Sequence, residues 1–303
     1  MAGNWQLAKR RPALEARARI VQTIRAFFME QDFLEVETPQ RIPVNAPELH
    51  IDAVRSGSWS LHTSPELCMK RLLAAGYPRL FQICRVWRDA ERGRRHLPEF
   101  TMLEWYRADA DYLDLMNDCE ALLQALLPSG SLPVRDATIA LAAPWQRLTV
   151  ADAFSAYASL PLAQALAADR FDEVLSNEVE PRLGRERPTF LYDYPAGLAA
   201  LARRKANQTD LAERFELYIA GVEIANAFSE LTDPDEQRQR FSADEASRRQ
   251  QGKEPLPLPE KFLSELANLP PSAGIALGLD RLVMLLTGAA SIDAVVAFTP
   301  EEL

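Results

Sequence analysis

An α+β fold is predicted by three features of the chain: an amphipathic helix near its start, two strand-like stretches around a polar loop, and a later hairpin. Residues 14 to 30 place Leu14, Ala18, Val21, Ile24 and Phe28 at helical spacing, with Arg and Glu between them. Leu80 to Trp87 and Glu99 to Arg107 read as strands joined by the loop Arg88 to Pro98. Phe215 to Ile219 and Val222 to Glu230 flank Ala220-Gly221, a two-residue hairpin signal.

The remaining elements follow in order. Phe33 to Pro39 alternates and is closed by proline, so a short strand is expected. Ser64-Pro65 opens a helix that runs to Gly76. Residues 113 to 127 read as a helix, and the Ala-rich stretch from 128 to 188 as a helical insert. Phe190 to Tyr194 reads as a strand, and the charged stretch 233 to 254 as an exposed helix before the proline-rich loop Pro255 to Pro259. Gly274 to Gly278 leads into a helix from Asp280 to Leu286, and Val295 to Phe298 reads as an apolar strand. No long linker interrupts the chain, so residues 1 to 303 are expected to form one domain.

Composition narrows the classes. The chain is 48% hydrophobic and 25% charged, ordinary for a globular protein. Its apolar runs are too short to span a bilayer and no signal pattern precedes Asn4-Trp5, so a cytoplasmic protein without a membrane partner is expected. Cys68, Cys84 and Cys119 lack C-x-x-C spacing, which argues for reduced thiols. His50, His62 and His96 make no zinc pattern. The net charge of -9 argues against strong nucleic-acid binding, since phosphate neutralisation needs a basic surface. Arg203-Arg204-Lys205 and Arg92 to Arg95 are the local basic runs, read first as solvated faces.

The strand at 99 to 107 carries the chemistry. With period-two alternation, Phe100, Met102, Glu104 and Tyr106 share a face. Asn226, Phe228 and Glu230 share another on the second hairpin strand. Acids on core-like strands need partners. They either line a pocket for a small cationic ligand or pair with arginines in a buried ion network. Arg88, Arg92, Arg94, Arg95 and His96 precede Phe100, and convergent Arg and His donors beside an aromatic suit a nucleotide. Gly274-x-x-x-Gly278 before Arg281 matches neither dinucleotide nor P-loop spacing and by itself suggests close packing.

These residues resemble the class II lysyl-tRNA synthetases in all three motifs that define the class. Phe33 to Pro39 looks like motif 1, Cys84 to Arg88 through His96 to Tyr106 like motif 2, and Gly274 to Arg281 like motif 3. The resemblance implies a catalytic domain with a mostly antiparallel sheet flanked by helices, a homodimer through motif 1, and ATP with Mg2+. It implies that Arg88 binds the α-phosphate and substrate carboxylate and that His96 reaches toward the terminal phosphates. Phe100 and Arg281 would sandwich the adenine beside Gly278, making Arg88 and Arg281 the catalytic residues. Glu216 and Glu223 would hold the magnesium. Glu66 would hold the inner amine, Asn226 would assist the carboxylate, and Tyr106 and Glu230, with Glu104 nearby, would receive the distal ammonium, with Ser64, Phe228 and Ala276 also binding the substrate.

The departures also inform. Motif 1 begins after about thirty residues, leaving no room in this sequence for an OB-fold anticodon-binding domain. Arg88-Asp89-Ala90 departs from Arg-x-Glu, with Glu91 one place late, and Ala276 stands where lysyl enzymes carry glycine. Together with Thr63-Ser64-Pro65-Glu66 and Gly93-Arg94-Arg95-His96, they look like the short lysyl-synthetase paralogues that modify elongation factor P. That resemblance implies activation of (R)-β-lysine, or lysine, and its transfer to a lysine of elongation factor P. A truncated enzyme that charges tRNA or supplies lysyl-adenylate, and a catalytically silent binding paralogue, are the alternatives.

Overall fold

A computed structural model describes residues 5–134, 137–199 and 201–303. Asn4 and the insert positions Arg135 and Asp136 lie outside the described residues. The chain forms two compact units, residues 1–110 with 230–303 and residues 111–229. Each carries mainly antiparallel strands with helices beside them, the α+β class expected from the sequence.

In the first unit, strand Arg79–Trp87 pairs antiparallel with Glu99–Ala108, which pairs antiparallel with Ser272–Gly278. Leu34–Glu35 adds a short parallel edge to Arg79–Trp87. The expected strand from Phe33 to Pro39 thus shrinks to two paired residues. Helix Trp5–Met29 begins nine residues before the apolar stripe at Leu14 and runs through Pro12. Its first turns are polar and basic, so no periodicity marks them. The lower end packs Phe28 on Phe81, Phe33 and Trp105, with ring centroids 5.0, 5.1 and 5.1 Å apart. All four side chains are buried, which anchors the helix to the strands.

Helix Glu66–Ala74 starts after Pro65 and stops before Gly76, whose φ of +97° needs a residue without a Cβ. Helix Pro234–Gln250 is less exposed than its charge suggests. Phe241 is buried, and buried Arg248 donates to the carbonyls of Glu48 and Ile51 at 2.6 and 3.0 Å and to Asp52 at 2.8 Å. A short helix, Glu260–Glu265, follows the proline-rich loop. Val295 to Phe298 is not a strand. A 3-10 turn, Ile292–Val295, occupies its start, and Phe298 is exposed. A four-residue apolar run has too little length to distinguish the two.

In the second unit, Gln208–Ile219 lies between Thr189–Pro195 and Val222–Ser229, antiparallel to both. Ala220 and Gly221 have φ of +56° and +71°, the left-handed pair that a two-residue hairpin requires. Helix Tyr112–Leu126 begins with a reciprocal capping box between Asp111 and Asp114. The insert is not purely helical. It contains a hairpin, Ser131–Val134 with Ala137–Ala140, and a strand, Gln146–Thr149, parallel to Thr189–Pro195. Four-residue strands containing Pro133 give no readable alternation. The helices after it bury Phe154 and Phe171, stacked at 5.2 Å, with Val150, Leu191 and Tyr218.

Candidate functional site

The first unit gathers Ser64, Glu66, Glu104, Tyr106 and Glu230. Glu104 lies mid-strand and is fully buried, with Ala276 directly across on Ser272–Gly278. Ser64 Oγ donates to its Oε1 at 2.5 Å, and Tyr106 Oη donates to its Oε2 at 2.6 Å. Both partners are neutral hydroxyls. Desolvation, then the charge of Glu66, pushes the Glu104 carboxyl up to about 8 against the pull of those hydroxyls and Lys70. Burial raises the Tyr106 phenol well above its ordinary value, so it stays a donor.

Glu230, also fully buried, is paired with Lys70, whose Nζ lies 2.5 Å from its Oε2. The same ammonium lies 2.5 Å from Glu66 Oε1. Among the described residues Glu230 Oε1 has no hydrogen-bond partner. Desolvation pushes Glu230 up to about 8, opposed chiefly by Lys70. The alternative of a buried arginine network is therefore corrected: hydroxyls serve Glu104, and a lysine serves Glu230. Lys70 was not singled out from the sequence, because Glu66 and Lys70 at i,i+4 look like an ordinary helix-surface pair.

Gly274 closes this cluster. It faces Tyr106 across the ladder, and a Cβ there would overlap both the Tyr106 ring and the Glu230 carboxylate. The glycine spacing of this strand is a close approach, as its sequence suggested. Gly278 ends the strand, caps helix Leu279–Leu286 and puts Arg281 in its first turn.

The basic residues form a second group in the same unit. The Arg88 guanidinium lies 5.3 Å from the Phe100 ring centroid, and its nearest acid is Glu91 at 3.8 Å. Arg88 Nε is buried without a hydrogen-bond partner among the described residues. Arg281 Nη2 donates to His96 Nε2 at 2.6 Å, which requires the imidazole tautomer protonated at Nδ1. Ala90 sits at φ +59°, a left-handed position beside Arg88. The loop is tied down, since Arg92 pairs with Asp293 and Glu301 and Arg94 donates to the Ala290 carbonyl.

One further residue supports this group without a sequence signal, and a second acid senses its charge. Asp280, 1% exposed, pairs with Arg17 and accepts from the Thr101 backbone N–H at 3.0 Å, fixing the residues beside Phe100 and Arg281. An acid in a first helical turn reads as an ordinary dipole partner, so its sequence context hides it. Burial pushes Glu48 up to about 7, with the Arg88 charge acting in the opposite direction.

The second unit holds Glu216, Glu223, Asn226 and Phe228. Glu216 faces Asn226 across the hairpin, with Tyr218 facing Glu223 one bulge further on. Arg214 spans the pair, donating to Asn226 Oδ1 at 3.1 Å and Glu216 Oε1 at 2.6 Å, while Tyr218 Oη donates to Glu216 Oε2 at 2.6 Å. Burial raises the Glu216 carboxyl. Arg214 opposes the rise and Glu223 adds to it. Two carboxylates that repel in a desolvated setting suit a hard cation completed by phosphate and water oxygens. Among the described residues no cluster of three or more acidic, His or Cys side chains could form a metal cage. Phe228 packs on Ala199, Ala202 and Ala212 and so braces this hairpin. The run at 203 to 205 is neutralised in part, with Arg203 on Glu213 and Lys205 on Asp193, each 2.6 Å apart.

Motif strands, a stitched Arg–His loop and buried acids define a class II synthetase. The chain matches the model of class II tRNA synthetases (D, K and N) over residues 5–302 and belongs to that family. Within it, the chain is 41% identical over 324 aligned residues to proteins named elongation factor P--(R)-beta-lysine ligase from Salmonella dublin, Salmonella paratyphi B and Salmonella heidelberg. Each alignment covers 98% of this chain and 97% of the relative.

Proposed function

We propose that this protein is an ATP-dependent ligase that activates (R)-β-lysine, or lysine, as an aminoacyl-adenylate and transfers it to a lysine side chain of elongation factor P. The observation that carries the reading is the buried acid cluster. Glu104 and Glu230 are fully buried with raised carboxyls, and Oε1 of Glu230 has no hydrogen-bond partner among the described residues. A ligand ammonium would supply the missing charge and donors. The relatives' name supports the same substrate and acceptor.

Carried through, the substrate carboxylate attacks the α-phosphorus of ATP, and the bond to pyrophosphate breaks. No protein nucleophile is needed. Arg88 and Arg281 stabilise the charge that develops on the phosphoryl oxygens. Arg88 has a buried Nε free to engage one. His96, already hydrogen-bonded to Arg281, reaches toward the terminal phosphates, and Phe100 with Arg281 takes the adenine beside Gly278. Glu216 and Glu223 would hold Mg2+, which would supply charge neutralisation along the phosphates.

Ser64 and Glu66 take the inner amine, Asn226 the carboxylate, and Glu104, Tyr106 and Glu230 the distal ammonium. Phe228 packs on Ala199, Ala202 and Ala212 and so braces the strand that carries Asn226. Ala276, across from Glu104, shapes the space by the inner amine. The acceptor lysine, unprotonated, then attacks the carbonyl carbon of the adenylate. AMP departs with the anhydride electron pair, and the new amide nitrogen loses a proton.

Motif 1 serves a homodimer. Met29 and Leu34 are 62% and 49% exposed, apolar groups available to a second copy. No helix among the described residues is long and apolar enough to cross a membrane, and cytoplasmic ATP and acceptor suit the reaction. The net charge of -9 disfavours an extended nucleic-acid surface. The test is incubation with ATP, (R)-β-lysine, purified elongation factor P and bulk tRNA. A mass increase of one β-lysyl group on the factor is expected. Labelled tRNA with unmodified factor would replace this reading by tRNA charging.

A further inference from the structure

The acid cluster contains one more charged group than the substrate roles require. Glu66, Glu104 and Glu230 bring three carboxylates together, and Lys70 is the cation that touches two of them. Its side chain is 1% exposed and its Nζ lies 2.5 Å from Glu66 Oε1 and 2.5 Å from Glu230 Oε2. A lysine so deeply buried must repay its desolvation through such contacts. Both Glu66 and Lys70 belong to helix Glu66–Ala74, so a rigid element carries the cation.

We propose that Lys70 is a positioning residue that sets substrate specificity: its ammonium clamps Glu66 to Glu230, turns the free Oε1 of Glu230 toward the ligand, and leaves two carboxylate charges uncompensated. This deepens the reading above and rests on it. With all three carboxyls ionised, as a bound diammonium ligand favours, three acids against one lysine leave two negative charges to match its two ammonium groups. A monoamino acid of the same length would leave one buried charge unpaired, so the cluster rejects it. Burial raises the carboxyls of Glu104 and Glu230, and Lys70 opposes both rises, so it favours the ionised forms that a ligand ammonium binds. Tyr106 and Ser64, the other polar groups around Glu104, are neutral donors and do not change this charge count.

The experiment compares wild type, Lys70→Met and Lys70→Arg by calorimetric titration with L-lysine, (R)-β-lysine and norleucine, and separately by pyrophosphate exchange. Melting curves select variants that fold. Lys70→Met should weaken diamino-acid binding at least tenfold, leave the ATP KM within about threefold, and narrow the preference over norleucine. Lys70→Arg should recover part of the loss. Unchanged binding by folded Lys70→Met would overturn the proposal. So would tighter binding, because Lys70 would then be competing for Glu230. Equal losses for ATP and amino acid in both variants would reduce Lys70 to a structural support. Wild type that binds diamino acids but exchanges no pyrophosphate would sink the adenylation reading alone. Wild type that binds neither diamino acid would end both.

Discussion

The two acidic clusters solve the same problem in opposite ways. In the second unit, Arg214 forks onto Glu216 and Asn226, and Tyr218 completes the Glu216 carboxylate. Each Glu216 oxygen therefore has a partner, and only the repulsion from Glu223 remains to be relieved. In the first unit one lysine serves two carboxylates, hydroxyls serve a third, and one oxygen of Glu230 has no hydrogen-bond partner among the described residues. The lesson is that burial alone does not separate scaffold acids from ligand-binding ones. The number of charges left over does. A small hard cation needs little beyond a close pair of oxygens, whereas an organic ammonium needs a desolvated carboxylate with a free lone pair.

Breaking the phosphate end should have the largest effect. Arg88→Ala should lower pyrophosphate exchange by about 10²-fold or more, the scale of removing a charge-stabilising donor. Near-normal exchange would sink the assignment. Next in size is Gly274→Ala. Its methyl would overlap Tyr106 and Glu230, and overpacking of this kind costs on the order of 1–3 kcal/mol. A lower melting temperature and a raised amino-acid KM are expected, and an unaltered KM would place Gly274 outside the pocket. Glu230→Gln keeps the shape and removes one charge. Its amino-acid KM should rise roughly tenfold or more, with ATP unaffected, because a desolvated charge partner is lost.

The comparison can also be sharpened by pH. Glu104 and Glu230 each titrate near 8 in the empty cluster, well above an ordinary carboxylate. An ammonium binds their ionised forms. Raising the pH from 7 through 8 should therefore lower the amino-acid KM, by up to about tenfold per unit while one group titrates. The gain should stop once the carboxylates are ionised, and reverse where the ligand amines lose their protons. A KM that falls on acidification instead would contradict the cluster's role. The smallest effect is expected in the second unit. Glu216→Gln should raise the Mg2+ concentration needed for half-maximal exchange by a few fold, leaving amino-acid KM nearly unchanged, since oxygens from phosphate and water persist.

Legibility in the sequence followed the same division. Alternation along Glu99–Ala108 placed Glu104 and Tyr106 on one face, and the Ala220-Gly221 turn set Tyr218 opposite Glu223, although a bulge between Leu217 and Tyr218 then shifts the register by one to bring Glu216 opposite Asn226. Both are local patterns with fixed periods. Lys70, Asp280 and Arg214 were missed because their partners lie elsewhere in the fold or look local. Lys70 and Glu66 mimic a solvent-side helix pair, and only the burial of Glu230 reveals what Lys70 does. The hairpin within the insert was hidden by four-residue strands and Pro133. Charge composition suggested an exposed helix at 233 to 254, yet Arg248 is buried because backbone carbonyls of Glu48 and Ile51 repay its desolvation.

The central claim is that a dicationic amino acid is adenylated here. It is tested most directly by ATP–pyrophosphate exchange with (R)-β-lysine, L-lysine and no amino acid, measured side by side on the purified protein. Exchange that depends on a diamino acid, strongest with (R)-β-lysine, is the expected result. No exchange with either amino acid at saturating ATP and Mg2+ would contradict the account and leave a protein that keeps the synthetase fold without its chemistry.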